Sequence, residues 1–296
     1  MRYRVRHSTT YTYDDHVSDS LGIAHLVPRE LPWQHVSSYD VVVAPTPGDL
    51  AHDVDYHGNT VTYFQVTEPH DVLVIEATSE VSVEVSPVPG HALDTPWERL
   101  RPLVDPGLPG AWSVTDFALA SAQVEQVAAA KAYAAESFTR GRPVGEAVAD
   151  LMHRIHADVD YDPTATTVTS TVDDILDKRA GVCQDFAHLT LACLRTHGLA
   201  GRYVSGYLAT EPAPGQERVV GADASHAWVA VWLGLDEDGV DQWLAFDPTN
   251  DQWVGDRYVT VAWGRDYGDV PPVKGVIFTE ARKSTLRVAV DVEPLG

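Results

Sequence analysis

Residues 3–87 show strand-like alternation and no helical period. Runs that alternate apolar and polar side chains, at 3–13, 38–43, 60–66 and 72–85, are separated by turn-forming stretches such as PTPGD and YHGN. In EATSEVSVEV, Val81, Val83 and Val85 fall on one face, with serine and glutamate on the other. That is the pattern of an antiparallel strand with one face in water. Residues 1–86 therefore read as a β-rich, sandwich-like domain of their own.

Residues 87–112 are rich in proline and glycine and hold no sustained period, as expected of a linker or an edge-wrapping segment. Beyond them the texture changes. Two helices are expected at 121–137 and 144–159, the first with Val124, Val127, Ala128 and Ala135 on one face, the second with Val148, Leu151 and Ile155. A capping box at Ser121 fails because Glu125 falls one residue late. TVDDILDKRAG reads as a short helix with Asp173 and Asp174 in its first turn and Gly181 past its end, and another helix opens near Cys183. Strand-like runs follow at 202–208, 224–233 and 242–247, and TLRVAVDV closes the chain. Residues 113–296 thus form an α+β unit, helices first and antiparallel strands after, whose last strand joins a sheet of either domain.

Charge narrows the partners. The 296 residues include 43 acidic and 21 basic side chains, a formal net charge of −22. Such a surface repels phosphate backbones and anionic lipid, and no arginine cluster is interleaved with aromatics, so neither nucleic acid nor membrane is expected as a partner. The N-terminal MRYRVRHSTTYTYDD lacks an apolar h-region, and the longest apolar runs, at 41–44 and 72–75, are strand-sized. The two cysteines, ten residues apart on one expected helix, would lie about 15 Å apart and cannot bridge. The chain is expected to be cytoplasmic, with free thiols.

Those two cysteines differ in setting. Cys193 shares an apolar stripe with Phe186, Leu189 and Thr190 and reads as core. Cys183 follows Gly181 at a helix start, where unpaired N–H groups and the positive end of the helix dipole stabilise a thiolate. Glycine there lets a substrate backbone approach, and the Cys183 N–H can donate to an oxyanion. A nucleophilic thiol also needs a base, and the base an orienting acceptor.

Both occur downstream. His226 begins an alternating run in DASHAWVAVWL, with Trp228, Ala230 and Trp232 on its face. Asp247 shares a face with Ala245 and Trp243 in WLAFDPTN. The polar stretch GLDEDGVD between them reads as a hairpin turn, and a turn centred there sets His226 and Asp247 opposite or nearly opposite each other. Taken singly, His226 reads as a core or edge histidine and Asp247 as a turn cap before Pro248. Together, downstream of a helix-start cysteine, they read as a Cys–His–Asp triad.

At these residues a resemblance emerges. RAGVCQDFAHLTLACLRTHGLAGRYVSGY, DASHAWVAVWL, WLAFDPTN and GRDYGDVPPVKGV are similar to bacterial transglutaminase-like proteins. YTYDDHVSDSLGIAHLVPRE and DYHGNTVTYFQVTEPHDVL resemble the β-rich domain that precedes their core. The resemblance implies a papain-like (transglutaminase core) cysteine-protease fold, with Cys183 as nucleophile, His226 as base and Asp247 as acid. It implies a thioester enzyme acting on peptide or protein amides, by hydrolysis or by acyl transfer to an amine. Hydrolysis is favoured because nothing in the sequence shields the thioester from water. A catalytically silent protein-binding module on the same fold is the alternative. Gln184 and Asp185 line the cleft or cap the helix, Trp228 shields the site or is plain core, and Arg265 and Tyr267 shape the substrate groove. No cofactor and no metal are expected: His153, His156 and His188 form no HExxH or Cys/His cluster and read as solvated helix faces, and DDHVSDS and DEDG lack EF-hand spacing.

Overall fold

The computed structural model describes residues 1–86, 90–210 and 225–295; residues 87–89 of the expected linker and Ala224 of the expected strand lie outside them. Five strands open the chain: β1 (Arg2–Ala24), β2 (Gln34–Ala44), β3 (Asp49–Val54), β4 (Thr60–Val66) and β5 (His70–Val83). β1 runs for 23 residues and changes neighbour along its length. Its first half pairs with β5 and its last residues with β4, across an irregularity between Thr12 and Val17. The sheet thereby folds over itself, and Val41, Val43, Leu73 and Ile75 of β2 and β5 meet Phe64 and Val66 of β4 in one core.

The short helices α1 (Gly90–Leu93) and α2 (Ala111–Val114) cross the proline-rich segment. α3 (Ala128–Ala134) and α4 (Val144–Asp158) follow, then β6 (Asp160–Tyr161), α5 (Val172–Lys178), β7 (Ala180–Gly181) and α6 (Cys183–Thr196). Next come β8 (Gly201–Leu208), β9 (Ser225–Leu235), β10 (Asp241–Asp247), β11 (Gln252–Trp253) and β12 (Tyr258–Gly264), an antiparallel sheet in the order β11-β10-β9-β8-β12. Residues 184–195 of α6 are all buried, packed with Ala227, Val229 and Val231 of β9. Each of its fully enclosed leucines, 189, 191 and 194, contributes on the order of 2 kcal/mol.

One expectation changes, and one left open between the two domains is resolved. The helix expected at 121–137 is confined to Ala128–Ala134. Before it, Ser121 and Val124 form a bridge while the Asp266 carboxylate takes the Gln123 N–H at 2.8 Å, so the backbone partners that a helix would supply are supplied from elsewhere. The chain's last strands, β13 (Val273–Thr279) and β14 (Ser284–Pro294), both lie against β1 in the N-terminal sheet.

The free edge of β12 is closed by side chains from that same β-rich half. Gln34 exchanges two hydrogen bonds with the Thr260 backbone, at 2.7 and 2.8 Å, and Asn59 does the same with Trp263, both at 2.9 Å. An edge strand that would otherwise carry open backbone groups is thus fixed to the first domain.

Candidate active site

Cys183 is the first residue of α6, half-buried, at a point where backbone N–H groups have no intrahelical acceptor. Asp185 sets that start. Its Oδ2 accepts the Val182 N–H at 2.7 Å and the Thr166 hydroxyl at 2.6 Å. Burial pushes the Asp185 carboxyl up, and these two bonds act against it. Asp185 therefore caps the helix. A Cβ on Gly181 would lie 2.5 Å from the same Oδ2, so this position must be bare for the cap to close. Gln184 is buried in the first turn beside it.

His226 enters from the second residue of β9 and Asp247 from the end of β10. Beyond a bulge at Gln242–Trp243 the strands pair Phe246 with Val229, which continues to Asp247 against Trp228. The hairpin centre thus lies one residue later than equal pairing of His226 with Asp247 requires, and the two are diagonal neighbours on one face. Long side chains still bridge that diagonal. Nε2 of His226 lies 2.7 Å from Asp247 Oδ2, with Asp247 fully enclosed. Nδ1 is the ring nitrogen left to face the Cys183 thiol, whose influence on the imidazole raises it.

Asp247 is held by more than the histidine. Its Oδ2 also accepts from Asn250 Nδ2 at 2.7 Å and the Tyr258 hydroxyl at 2.8 Å, and its Oδ1 takes the Thr249 and Asn250 N–H groups. It caps the turn and faces His226 at once. Burial alone would raise its carboxyl, but the bonds from His226, Asn250 and Tyr258 outweigh this and hold it low. Burial alone would lower His226; the Asp247 hydrogen bond and the Cys183 contact prevail and raise it to about 10. The imidazole is thus stabilised as a cation between an anion and a thiol.

Other side chains fall into place around this group. Trp228 is fully buried, its ring 6.2 Å from His226 and 5.2 Å from Tyr258, and backs the imidazole. Arg265 is tied to Asp269 by bonds of 2.9 and 3.0 Å, and its carbonyl is held by the buried Arg195. Tyr267 packs on the core with its ring against Tyr203. Burial and then the Cys183 thiol raise both the enclosed Tyr203 and the exposed Tyr161, two phenols within electrostatic reach of the sulfur that sequence reasoning missed; Tyr161 pairs with Gly181, two residues before Cys183. Asn250 and Tyr258 were missed too. Asn250 sits within the FDPTN motif, three residues past the aspartate, whereas nothing local marks Tyr258.

His188 is corrected. It is not on a solvated face but 1% exposed, accepting the Tyr267 N–H at Nε2 over 3.2 Å, with its imidazole lowered to about 4 by burial. His153 and His156 are exposed on α4 and bond Asp251 and the Thr249 carbonyl, pinning the turn after Asp247. Among the described residues no group of three or more His, Cys, Asp or Glu could hold a metal ion. Cys193 is fully enclosed, and burial pushes its thiol up to about 12.

Residues 3–82 match the bacterial transglutaminase-like N-terminal region, and residues 131–248 match the transglutaminase-like superfamily. The chain belongs to the bacterial transglutaminase-like family. An uncharacterized protein of Mycobacterium tuberculosis strain H37Rv is 46% identical to it over 299 residues, which span 99% of this chain and 93% of the relative. A Mycobacterium leprae protein is 34% identical over 298 residues, covering 100% of this chain and 99% of its own. The crystal structure of a cysteine-protease candidate from Cytophaga hutchinsonii superposes with a TM-score of 0.72 at 20% identity, covering 99% of this chain and 98% of that one. At that identity the likeness shows the fold: a transglutaminase-like core behind a β-rich domain. The family is one of thiol-dependent enzymes, and no helix among the described residues is long and apolar enough to cross a membrane.

Proposed function

We propose that the protein is a thiol-dependent amide hydrolase acting on peptide or protein substrates. Cys183 is its nucleophile, His226 its base and Asp247 the acid that orients the base. The observation that carries this reading is the placement of His226 between an enclosed carboxylate at 2.7 Å and the thiol at the start of α6. Nδ1 accepts the thiol proton, and the sulfur attacks the amide carbonyl carbon. The N–H groups of Cys183 and Gln184, at the helix start, face the developing oxyanion. The imidazolium returns its proton to the departing amine as the C–N bond breaks, leaving a thioester. Water, deprotonated by the same imidazole, then releases the carboxylic acid and restores the thiol. Hydrolysis is supported over acyl transfer by the half-exposed setting of Cys183 beside the exposed Tyr161, where water reaches the thioester.

The test is alkylation followed by turnover. Iodoacetamide at neutral pH, with mapping by mass spectrometry, should label Cys183 and spare Cys193, and His226→Ala should remove that difference. Peptide amide substrates with and without an added primary amine then separate the outcomes. Acid product in both cases supports hydrolysis, and amine adducts favour acyl transfer. Equal labelling of the two cysteines, unaffected by His226→Ala, would leave a binding module.

A further inference from the structure

On the sheet face that carries Trp228 lies a cavity of about 680 Å³, bounded by β8, β9, β10 and β12, the start of α4 and residues 84–86. This is the size of a small-molecule site. Neither Cys183 nor His226 is in its described wall; Trp228 and Tyr258 are, and they separate it from the Asp247–His226 pair.

Arg202 of β8 lines this cavity. It is 7% exposed, and its guanidinium is stacked 4.2 Å from the Trp243 ring and 3.7 Å from that of Trp263. Among the described residues its buried Nε has no hydrogen-bond partner, and no carboxylate there is paired with it. Among the described residues the charges that reach it are Arg29, which lies over Trp263 at 3.5 Å and repels it, and Asp241. Both Asp241 oxygens are already engaged, by Trp232 Nε1 and the Ser113 hydroxyl.

The same fold shows how a buried guanidinium is ordinarily satisfied. Arg195, 1% exposed, donates to the carbonyls of Phe117, Gly201 and Arg265 and to the Ser121 hydroxyl. Stacking on two indoles offsets part of the cost of enclosing a cation, but it supplies no acceptor for the N–H groups. Arg202 is a forked donor, geometrically matched to a carboxylate, at the inner wall of an aromatic cavity. The acidic residues of the wall, Glu84, Asp94 and Glu146, are all exposed and so lie at its solvent side. They disfavour a second negative charge on whatever enters.

We propose that this cavity binds a monocarboxylate with an apolar body, its carboxylate taken by Arg202 and its body held among Trp228, Trp243 and Trp263. Tyr258 belongs to the same wall and donates to Asp247, so the bound molecule sits one hydrogen bond from the acid of the candidate active site.

Isothermal titration calorimetry on the full chain tests this with two acids, 4-phenylbutyrate and acetyl-Ala-Phe, each beside its neutral amide. At least one acid should bind tenfold or more tightly than its amide, and which acid does so separates a free acid from a peptide C-terminus. Arg202→Met should abolish that preference without lowering the melting temperature, because it removes an unpaired buried charge. Ala245→Leu, which narrows the cavity and leaves Arg202 in place, should weaken acid and amide alike. Wild-type protein that shows no preference for either acid overturns the proposal whatever the variants do. So does a preference that survives Arg202→Met.

Discussion

Tyr258 donates its phenolic hydrogen to Asp247 at the same oxygen that His226 Nε2 faces, at 2.8 Å against 2.7 Å. The acid is thereby held from two strands at once, and its orientation does not depend on the histidine alone. Tyr258→Phe keeps the ring packing against Trp228 and removes only the donor. Its expected effect is a roughly tenfold to hundredfold fall in kcat, about the worth of one hydrogen bond to a charged group, with KM little changed. A loss of packing would instead lower the melting temperature and leave the pH profile of kcat unmoved.

Stability should be greatest near neutrality, because the buried histidines oppose each other across the pH scale. His7 and His188 are both lowered to about 4 by burial. Between their unfolded value near 6.5 and 4, the unfolded chain takes up protons that the native chain refuses, so stability falls as pH drops through that window. His226, raised to about 10, acts the other way: its contribution is complete below 6.5 and is lost as pH rises to 10. Melting curves from pH 4 to 10 should show both flanks. His188→Gln should flatten the acid one and His226→Gln the alkaline one, each by a few degrees.

Much of this was legible in the chain itself, for reasons that vary by residue. The order of Cys183, His226 and Asp247 and the helix-start position of the thiol depend on local signals, a glycine, a period and a turn, and the structure brings the three together. Their register was displaced because the bulge at Gln242–Trp243 leaves no local mark. Tyr258 and Arg202 draw their significance from neighbours on other strands, so no pattern within their own segments distinguishes them. His188 was misplaced because helical period shows which residues share a face and not whether that face is covered on both sides, as α6 is. The return of β13 and β14 to β1 is likewise a pairing between the two ends of the chain, invisible to any short window.

Gly181 tests the link between the helix cap and the chemistry. A methyl group there would meet the Asp185 carboxylate, which must then release Val182 and Thr166 or shift the first turn of α6. Gly181→Ala should cost roughly 1–3 kcal/mol, the range for losing a cap or overpacking an enclosed contact. Because Cys183 rides on that turn, iodoacetamide labelling should slow as well. Labelling at the wild-type rate in a destabilised variant would separate the cap from the placement of the thiol.

The junction between the two domains rests on paired side-chain amides, and it can be broken at one point. Gln34 is enclosed, and it satisfies both the N–H and the carbonyl of Thr260 on β12. Gln34→Leu leaves the Thr260 N–H without its acceptor and takes from the Arg29 carbonyl the donor it has at 2.8 Å, whereas the Thr260 carbonyl keeps the Arg29 N–H at 3.0 Å. The orphaned buried donor alone costs roughly 1–3 kcal/mol, and urea denaturation should show a loss of at least that size. β12 also carries Tyr258 and Trp263, so loosening its edge reaches both Asp247 and the Arg202 cavity. The variant should therefore lower kcat alongside stability. A stability loss with unchanged kcat would show that β12 holds Tyr258 in place without help from the first domain.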